Sequence, residues 1–181
     1  PANAPFLDPH VPLHFLSSKI EFPDPTSATE GGLLAVGGDL SPERLIEAYS
    51  KGVFPWYSDG QPILWFSPDP RMVLYPDHFK CSTSLQRDIQ SNRFEIRIDT
   101  VFKEVINSCA SAPRPGQEGT WITPDMIDAY IEMHQLGYAP SFETFHKGSL
   151  VGGLYGLSLG AAFFGESMFH IKSNASKIAF S

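Results

Sequence analysis

Apolar residues recur at helical spacing along several stretches of the chain. After Ser41 and Pro42, the side chains of Leu45, Ala48 and Tyr49 share one face. Ser41 suits an N-cap, Pro42 suits the first helical position, and Gly52 stops the helix. Residues 82–90 predict a short helix with Leu85 and Ile89 one turn apart. Asp99 or Thr100 caps a helix that buries Val101, Val105, Ile106 and Cys109. The strongest helical pattern opens at Thr123 and Pro124, with Asp125 at the positive end of the dipole. Met126, Ala129, Tyr130 and Met133 form its apolar stripe, and Gly137 ends it. Strand alternation marks Phe94, Ile96 and Ile98. Residues 141–145 and 150–160 predict two strands joined by a turn over 146–149, and 161–169 predict another. Asn174 or Ser176 caps a final helix.

Residues 1–30 read as extended and proline-rich, 31–39 as an apolar stretch bracketed by glycine pairs, and 111–119 as a loop. After residue 90 the order is strand, helix, helix, antiparallel strands, helix, an α+β pattern. The predicted organisation is a small domain over 1–65, with one helix and much irregular chain, and a second domain over 66–181.

Residues 52–71, GVFPWYSDGQPILWFSPDPR, fit neither period. Trp56, Trp65, Phe54, Tyr57 and Phe66 are spaced by Pro55, Pro62, Pro68 and Pro70. Proline fixes φ and removes a donor, so no regular element is expected across these four. Long irregular segments in compact domains are often functional. Rings at this density predict an ordered loop that walls a pocket or clamps two parts of the protein.

Composition narrows the class. With 42% hydrophobic and 18% charged residues the chain reads as a globular protein. No apolar run reaches the length of a membrane span, and PANAPFLDPHVPLHF lacks the basic and apolar regions of a signal peptide. Cys81 and Cys109 read as reduced thiols of a cytoplasmic protein. The six histidines form no metal-binding spacing and read as surface or lightly buried residues. A net charge of −7 argues against nonspecific nucleic-acid binding. Local basic pairs remain at Arg93 and Arg97 and at Lys172 and Lys177.

Three groups of strings carry a resemblance. They are GLLAVGGDLSPERL with GVFPWYSDGQPILWFSPDPR, then EGTWITPDMIDAY, then LVGGLYGLSLGAAFFGESMF with NASK. Together, and in this order, they closely resemble the leucyl/phenylalanyl-tRNA–protein transferase family, from about Phe22 onward. The resemblance implies a small N-terminal domain followed by an acetyltransferase-like (GNAT-type) domain, with neither metal nor coenzyme A. It implies transfer of leucine or phenylalanine, with methionine as a further candidate, from aminoacyl-tRNA. The acceptor would be the N-terminal Arg or Lys of a protein thereby marked for degradation. The absence of a [QR]xxGx[GA] pyrophosphate loop agrees with independence from coenzyme A.

The chemistry itself asks for little machinery. An aminoacyl ester is already activated, so no covalent enzyme intermediate is required. The attacking α-amino group has an ordinary pKa of about 7.7–8.0, so weak general-base help suffices. Alignment of the substrates and stabilisation of the oxyanion supply the rest. The lack of a Ser/His/Asp or Cys/His set fits this reaction.

By the resemblance, Glu166 lies beside the aminoacyl group, to hold or deprotonate an amino group or orient the reacting end. Without the motif it would be a solvated strand-end carboxylate. Trp56, Phe163, Gly165 and Met168 match family positions around the amino-acid side chain, with Trp121, Tyr49 and Tyr130 nearby. From periodicity alone Tyr130 is core, whereas Trp56 in its proline-rich loop lines a pocket. Ser58 has two equal readings, a hydrogen bond to the terminal adenosine and a turn-stabilising hydroxyl. Arg71, Lys172 and Lys177 are candidates for tRNA phosphates, though each alone is more simply a solvated charge.

Two departures from the family pattern stand out. Pro140-Ser141 replaces a His-Ser pair, removing a backbone donor where a strand starts, so disturbed pairing is expected there. Family members also continue past the NASK helix into a strand bearing an Asp and a Gln, so the GNAT-type domain is expected to be incomplete at its C-terminus. A noncatalytic relative that binds aminoacyl-tRNA ends is therefore the competing reading. A peptidoglycan-branching transferase is disfavoured by the N-terminal strings.

Overall fold

A computed structural model of the chain describes residues 13–113 and 120–181. The chain is mixed α and β and divides into two compact units, Pro1–Val73 and Leu74–Ser181.

In the first unit, β1 (His14–Leu16) pairs parallel with β2 (Leu33–Gly37). Antiparallel β4 (Leu64–Phe66) follows, then β3 (Phe54–Pro55), giving the order β1-β2-β4-β3. The 52–71 segment therefore does contain regular structure, contrary to the expectation from its prolines. Pro55 lies in β3, at the sheet edge, where a missing N–H costs nothing. Pro62, Pro68 and Pro70 fall outside the strands. Trp65 is fully buried, edge-on to Phe22 at 4.8 Å, and its indole N–H donates to the Gly37 carbonyl at 2.8 Å.

Helix α1 (Pro42–Ser50) forms where its caps and stripe predict. Ser41 sits at its N-cap but makes no side-chain cap bond; its hydroxyl donates to Asp39 instead. Arg44, unlike most arginines, is fully buried. Its guanidinium donates to the carbonyls of Ser17 and Lys19 and to Asp39 Oδ2. These bonds tie the segment after β1 to α1. Burial alone would raise the Asp39 pKa, but the bonds from Ser41 and Arg44 outweigh it and hold the carboxyl at about 2.

The second unit is built on one antiparallel sheet of order β5-β6-β7-β8. The strands are β5 (Glu95–Ile98), β6 (Ser141–His146), β7 (Ser149–Leu159) and β8 (Ala162–His170). Its helices are α2 (Thr83–Gln90), α3 (Phe102–Ser111), α4 (Pro124–Gln135) and α5 (Ala175–Phe180). Ser82 caps α2 through Leu85 N, and Thr123 caps α4 through Met126 N. The α4 stripe of Met126, Ala129, Tyr130 and Met133 is buried as its period predicts.

Helix α3 starts later than Asp99 or Thr100, with Val101 as N-cap. Those two side chains are engaged across the sheet. Asp99 Oδ1 accepts from Ser141 N at 2.7 Å, and the Thr100 hydroxyl donates to Glu143 Oε2 at 3.0 Å. The predicted loop at 111–119 begins after Ser111, but residues 114–119 lie outside those described. So does the 1–12 part of the extended N-terminal stretch. Pro140 does not disturb pairing. It precedes β6, its carbonyl accepts from Gly156 N, and Ser141 pairs with Tyr155.

Strand β7 is buried on both faces along most of its length. A Cβ on Gly152 would point at Ala175 of α5, and one on Gly153 at Val105 of α3. Adjacent strand residues face opposite sides, so α5 and α3 cover opposite faces of the sheet. Tyr155 shares the face of Gly153 and meets Phe102 of α3 and Tyr130 of α4 edge-on, each at 5.7 Å.

The approach at Gly152 leaves no room for a methyl group. Its Cβ would lie 2.6 Å from the Ala175 Cβ and 2.8 Å from the Ala175 carbonyl carbon. Gly152→Ala is expected to lower unfolding stability by about 1–3 kcal/mol, the usual cost of overpacking. Denaturant unfolding measures this, and an unchanged midpoint would contradict the packing of α5.

Candidate active site

The candidate residues of the second unit gather on β8 and α4. In the β7–β8 ladder Tyr155 pairs with Ser167, but the next residue, Gly156, pairs with Gly165. Glu166 is thus the extra residue of a β-bulge. Alternation back from Ser167 would turn Glu166 to the α5 face. The bulge instead turns Glu166 and Ser167 together toward the α3 and α4 side. There the Tyr130 hydroxyl donates to Glu166 Oε2 at 3.3 Å. Tyr130 is fully buried, whereas Glu166 is only half-buried. The Tyr130 hydroxyl thus holds the carboxylate from the α4 side.

Gly156 is what allows the slip. A Cβ there would lie 2.2 Å from the Phe164 carbonyl oxygen and 2.6 Å from the Phe163 ring. Any side chain would drive β8 away from the position that presents Glu166.

Phe163 and Met168 lie on the α5 face, Phe163 edge-on to Phe142 at 5.9 Å and Met168 opposite Leu154 in the ladder. Both are exposed, at 41% and 49%. Phe163 lines an open apolar groove of about 420 Å³ with Ile96, Phe142, Leu154, Ile178 and Phe180. Gly165 is exposed between Phe163 and Glu166. The edge strand β8 therefore carries apolar side chains on one face and the carboxylate on the other. Trp121 is half-buried just before α4, its carbonyl accepting from Thr123 N. Lys172 and Lys177 flank the start of α5, exposed and without an ion pair among the described residues. The other basic pair is neutralised locally, since Arg93 bonds Asp88 and Arg97 bonds Glu95.

The first unit holds the remaining candidates. Trp56 is 50% exposed, its ring edge-on to Phe66 at 5.8 Å and its backbone N–H bonded to the Leu64 carbonyl. The indole is fixed by the strands yet presents a free face. Ser58 is exposed, and its backbone N–H and carbonyl close a turn with Gln61. Tyr49 is buried in the core of this unit. Arg71 lies over the Phe54 ring at 4.4 Å and donates to the Gly52 carbonyl at 3.0 Å.

Sequence reasoning did not find Glu143, a fully buried carboxylate that accepts from Ser141 and Thr100. Nor did it single out His134, whose ring stacks on Phe102 at 4.3 Å while Nδ1 bonds the Ala139 carbonyl. The i, i+4 spacing of Tyr130 and His134 was the available signal. Cys81 and Cys109 are unbridged. No group of three potential metal ligands occurs among the described residues, and no helix there is long and apolar enough to cross a membrane.

The family model for leucyl/phenylalanyl-tRNA protein transferase matches residues 73–181, and the model for the N-terminal domain of that transferase matches residues 38–69. The chain is 55% identical over 168 residues to the leucyl/phenylalanyl-tRNA–protein transferase of Anaeromyxobacter sp. (strain Fw109-5), covering 93% of this chain and 72% of that protein. It is 55% identical over 170 residues to the protein of the same name from Desulfatibacillum aliphaticivorans, covering 94% and 73%. The counterpart from Myxococcus xanthus (strain DK1622) is 54% identical over 172 residues, covering 94% and 74%. Matched over most of its length, with the carboxylate-bearing bulge inside the matched region, this chain belongs to the leucyl/phenylalanyl-tRNA–protein transferase family of aminoacyltransferases.

Proposed function

We propose that the chain transfers leucine or phenylalanine, and methionine as a further donor, from aminoacyl-tRNA to the N-terminal Arg or Lys of a cytoplasmic protein, marking it for degradation. The observation that carries this reading is the presentation of Glu166, half-buried at a bulge of β8 and bonded to Tyr130, on the strand whose opposite face carries the exposed Phe163 and Met168. We also read the second unit as GNAT-type, supported by its order of β5, α3, α4, three antiparallel strands and α5.

The reaction joins the acceptor α-amine to the ester carbonyl and releases the tRNA 3′ oxygen. The amine must lose a proton as the bond forms. Glu166 receives or directs that proton, and its carboxylate also holds the amine in line with the carbonyl. The oxyanion needs hydrogen-bond donors aimed at it. The half-exposed Trp56 ring is assigned to the amino-acid side chain, as are Phe163, Gly165 and Met168, with Trp121 nearby. Burying a Leu or Phe side chain contributes about 1.5–3 kcal/mol, and methionine adapts to either shape. Ser58 is assigned to the terminal adenosine, and Arg71, Lys172 and Lys177 to tRNA phosphates.

Two measurements test the reading. Glu166→Gln in the full chain is expected to slow transfer of phenylalanine from its tRNA to an Arg-initiated peptide by about 10²-fold, the lower end for a positioned acid–base group. Undiminished transfer would overturn the role of Glu166. Trp56→Ala is expected to weaken binding of a phenylalanyl-adenosine mimic by about 10-fold or more, because the apolar face of the indole no longer covers the substrate side chain. Unchanged affinity by calorimetry would remove Trp56 from the site.

A further inference from the structure

We infer that Tyr130 is a positioning residue that sets the direction of the Glu166 carboxylate, rather than a wall of the amino-acid pocket; this rests on the proposed role of Glu166. Tyr130 is fully buried, so its ring offers no surface to a substrate. Its hydroxyl is the part that reaches the site, donating to Glu166 Oε2 at 3.3 Å. That separation is at the long end for a bond between two oxygens, and the bond gives the carboxylate a fixed partner on the α4 side.

The hydroxyl can orient because the ring behind it cannot move. Tyr130 meets Tyr155 of β7 edge-on at 5.7 Å, and Tyr155 meets Phe102 of α3 edge-on at the same distance. Phe102 stacks on His134 at 4.3 Å. His134 lies one turn beyond Tyr130 on α4 and is fixed through Nδ1 to the Ala139 carbonyl. The four rings run from α4 through β7 and α3 and back to α4. The bulge supplies the other half of the device. It turns Glu166 toward α4, and Tyr130 is the donor that meets it there.

A positioning role makes a prediction that a purely structural role does not. If Tyr130 acts through Glu166, removing its hydroxyl matters only while the carboxylate is present. The experiment is a double-mutant cycle of Tyr130→Phe and Glu166→Gln in the full chain. It reads kcat and KM for phenylalanyl-tRNA with an Arg-initiated peptide, and thermal unfolding of each variant. Tyr130→Phe keeps the ring and is expected to lower kcat about 10-fold, with KM within about two-fold. In the Glu166→Gln background the same change is expected to cost less than about two-fold. Equal losses in both backgrounds, or no loss in either, would overturn the inference. So would a fall in kcat that merely tracks a fall in unfolding temperature. If Glu166→Gln itself kept full transfer, the role of Glu166 would fail and that of Tyr130 with it. If Glu166→Gln lost transfer and the Tyr130→Phe effect were additive, only the role of Tyr130 would fail.

Discussion

The close approach of neighbouring groups to the backbone of β7 is the constraint on which the second unit depends. Helix α5 sits where Gly152 has no side chain, α3 sits over Gly153, and the Phe164 carbonyl fills the place of a Cβ at Gly156. The first two approaches allow helices on both faces of one strand. The third lets β8 slip by a residue against β7. The slip gives Glu166 its orientation, and the buried rings of α4, β7 and α3 receive it. Packing and site are therefore linked here through one strand, because β7 carries both the glycines that admit the helices and the glycine that lets β8 slip.

This arrangement suits a reaction that needs alignment more than reactive side chains. At its centre is a half-buried carboxylate that accepts from a buried phenol. Exposed Phe163 and Met168 add apolar surface on the opposite face of the same strand. In the first unit the Trp56 backbone is bonded to β4 and its ring meets Phe66 edge-on while half open to solvent.

Much of the helical structure was legible in the sequence, because caps and stripes are local. Thr123, Pro124 and the Met126–Tyr130–Met133 stripe placed α4 correctly. The start of α3 was misread because Asp99 and Thr100 spend their side chains on Ser141 and Glu143, more than forty residues away. The sheet of the first unit was missed because its strands are short and one contains Pro55 at an edge. The burial of Arg44 had no local signal, since its carbonyl partners are 25 and 27 residues distant. At the site, the motif pointed to Glu166 and the stripe pointed to Tyr130 as core. Neither revealed that the two meet, since the bulge arises from a pairing between strands.

The central claim is that Glu166 faces the reacting amine. A crystal structure of the full chain with a non-hydrolysable phenylalanyl-adenosine mimic and an Arg-initiated peptide tests it most directly, through the distance from the Glu166 carboxylate to the peptide's N-terminal nitrogen. The account predicts hydrogen-bond reach, about 2.6–3.2 Å directly or through one water. A bound peptide whose N-terminal amine lies beyond that reach, with Glu166 facing bulk solvent, would contradict it.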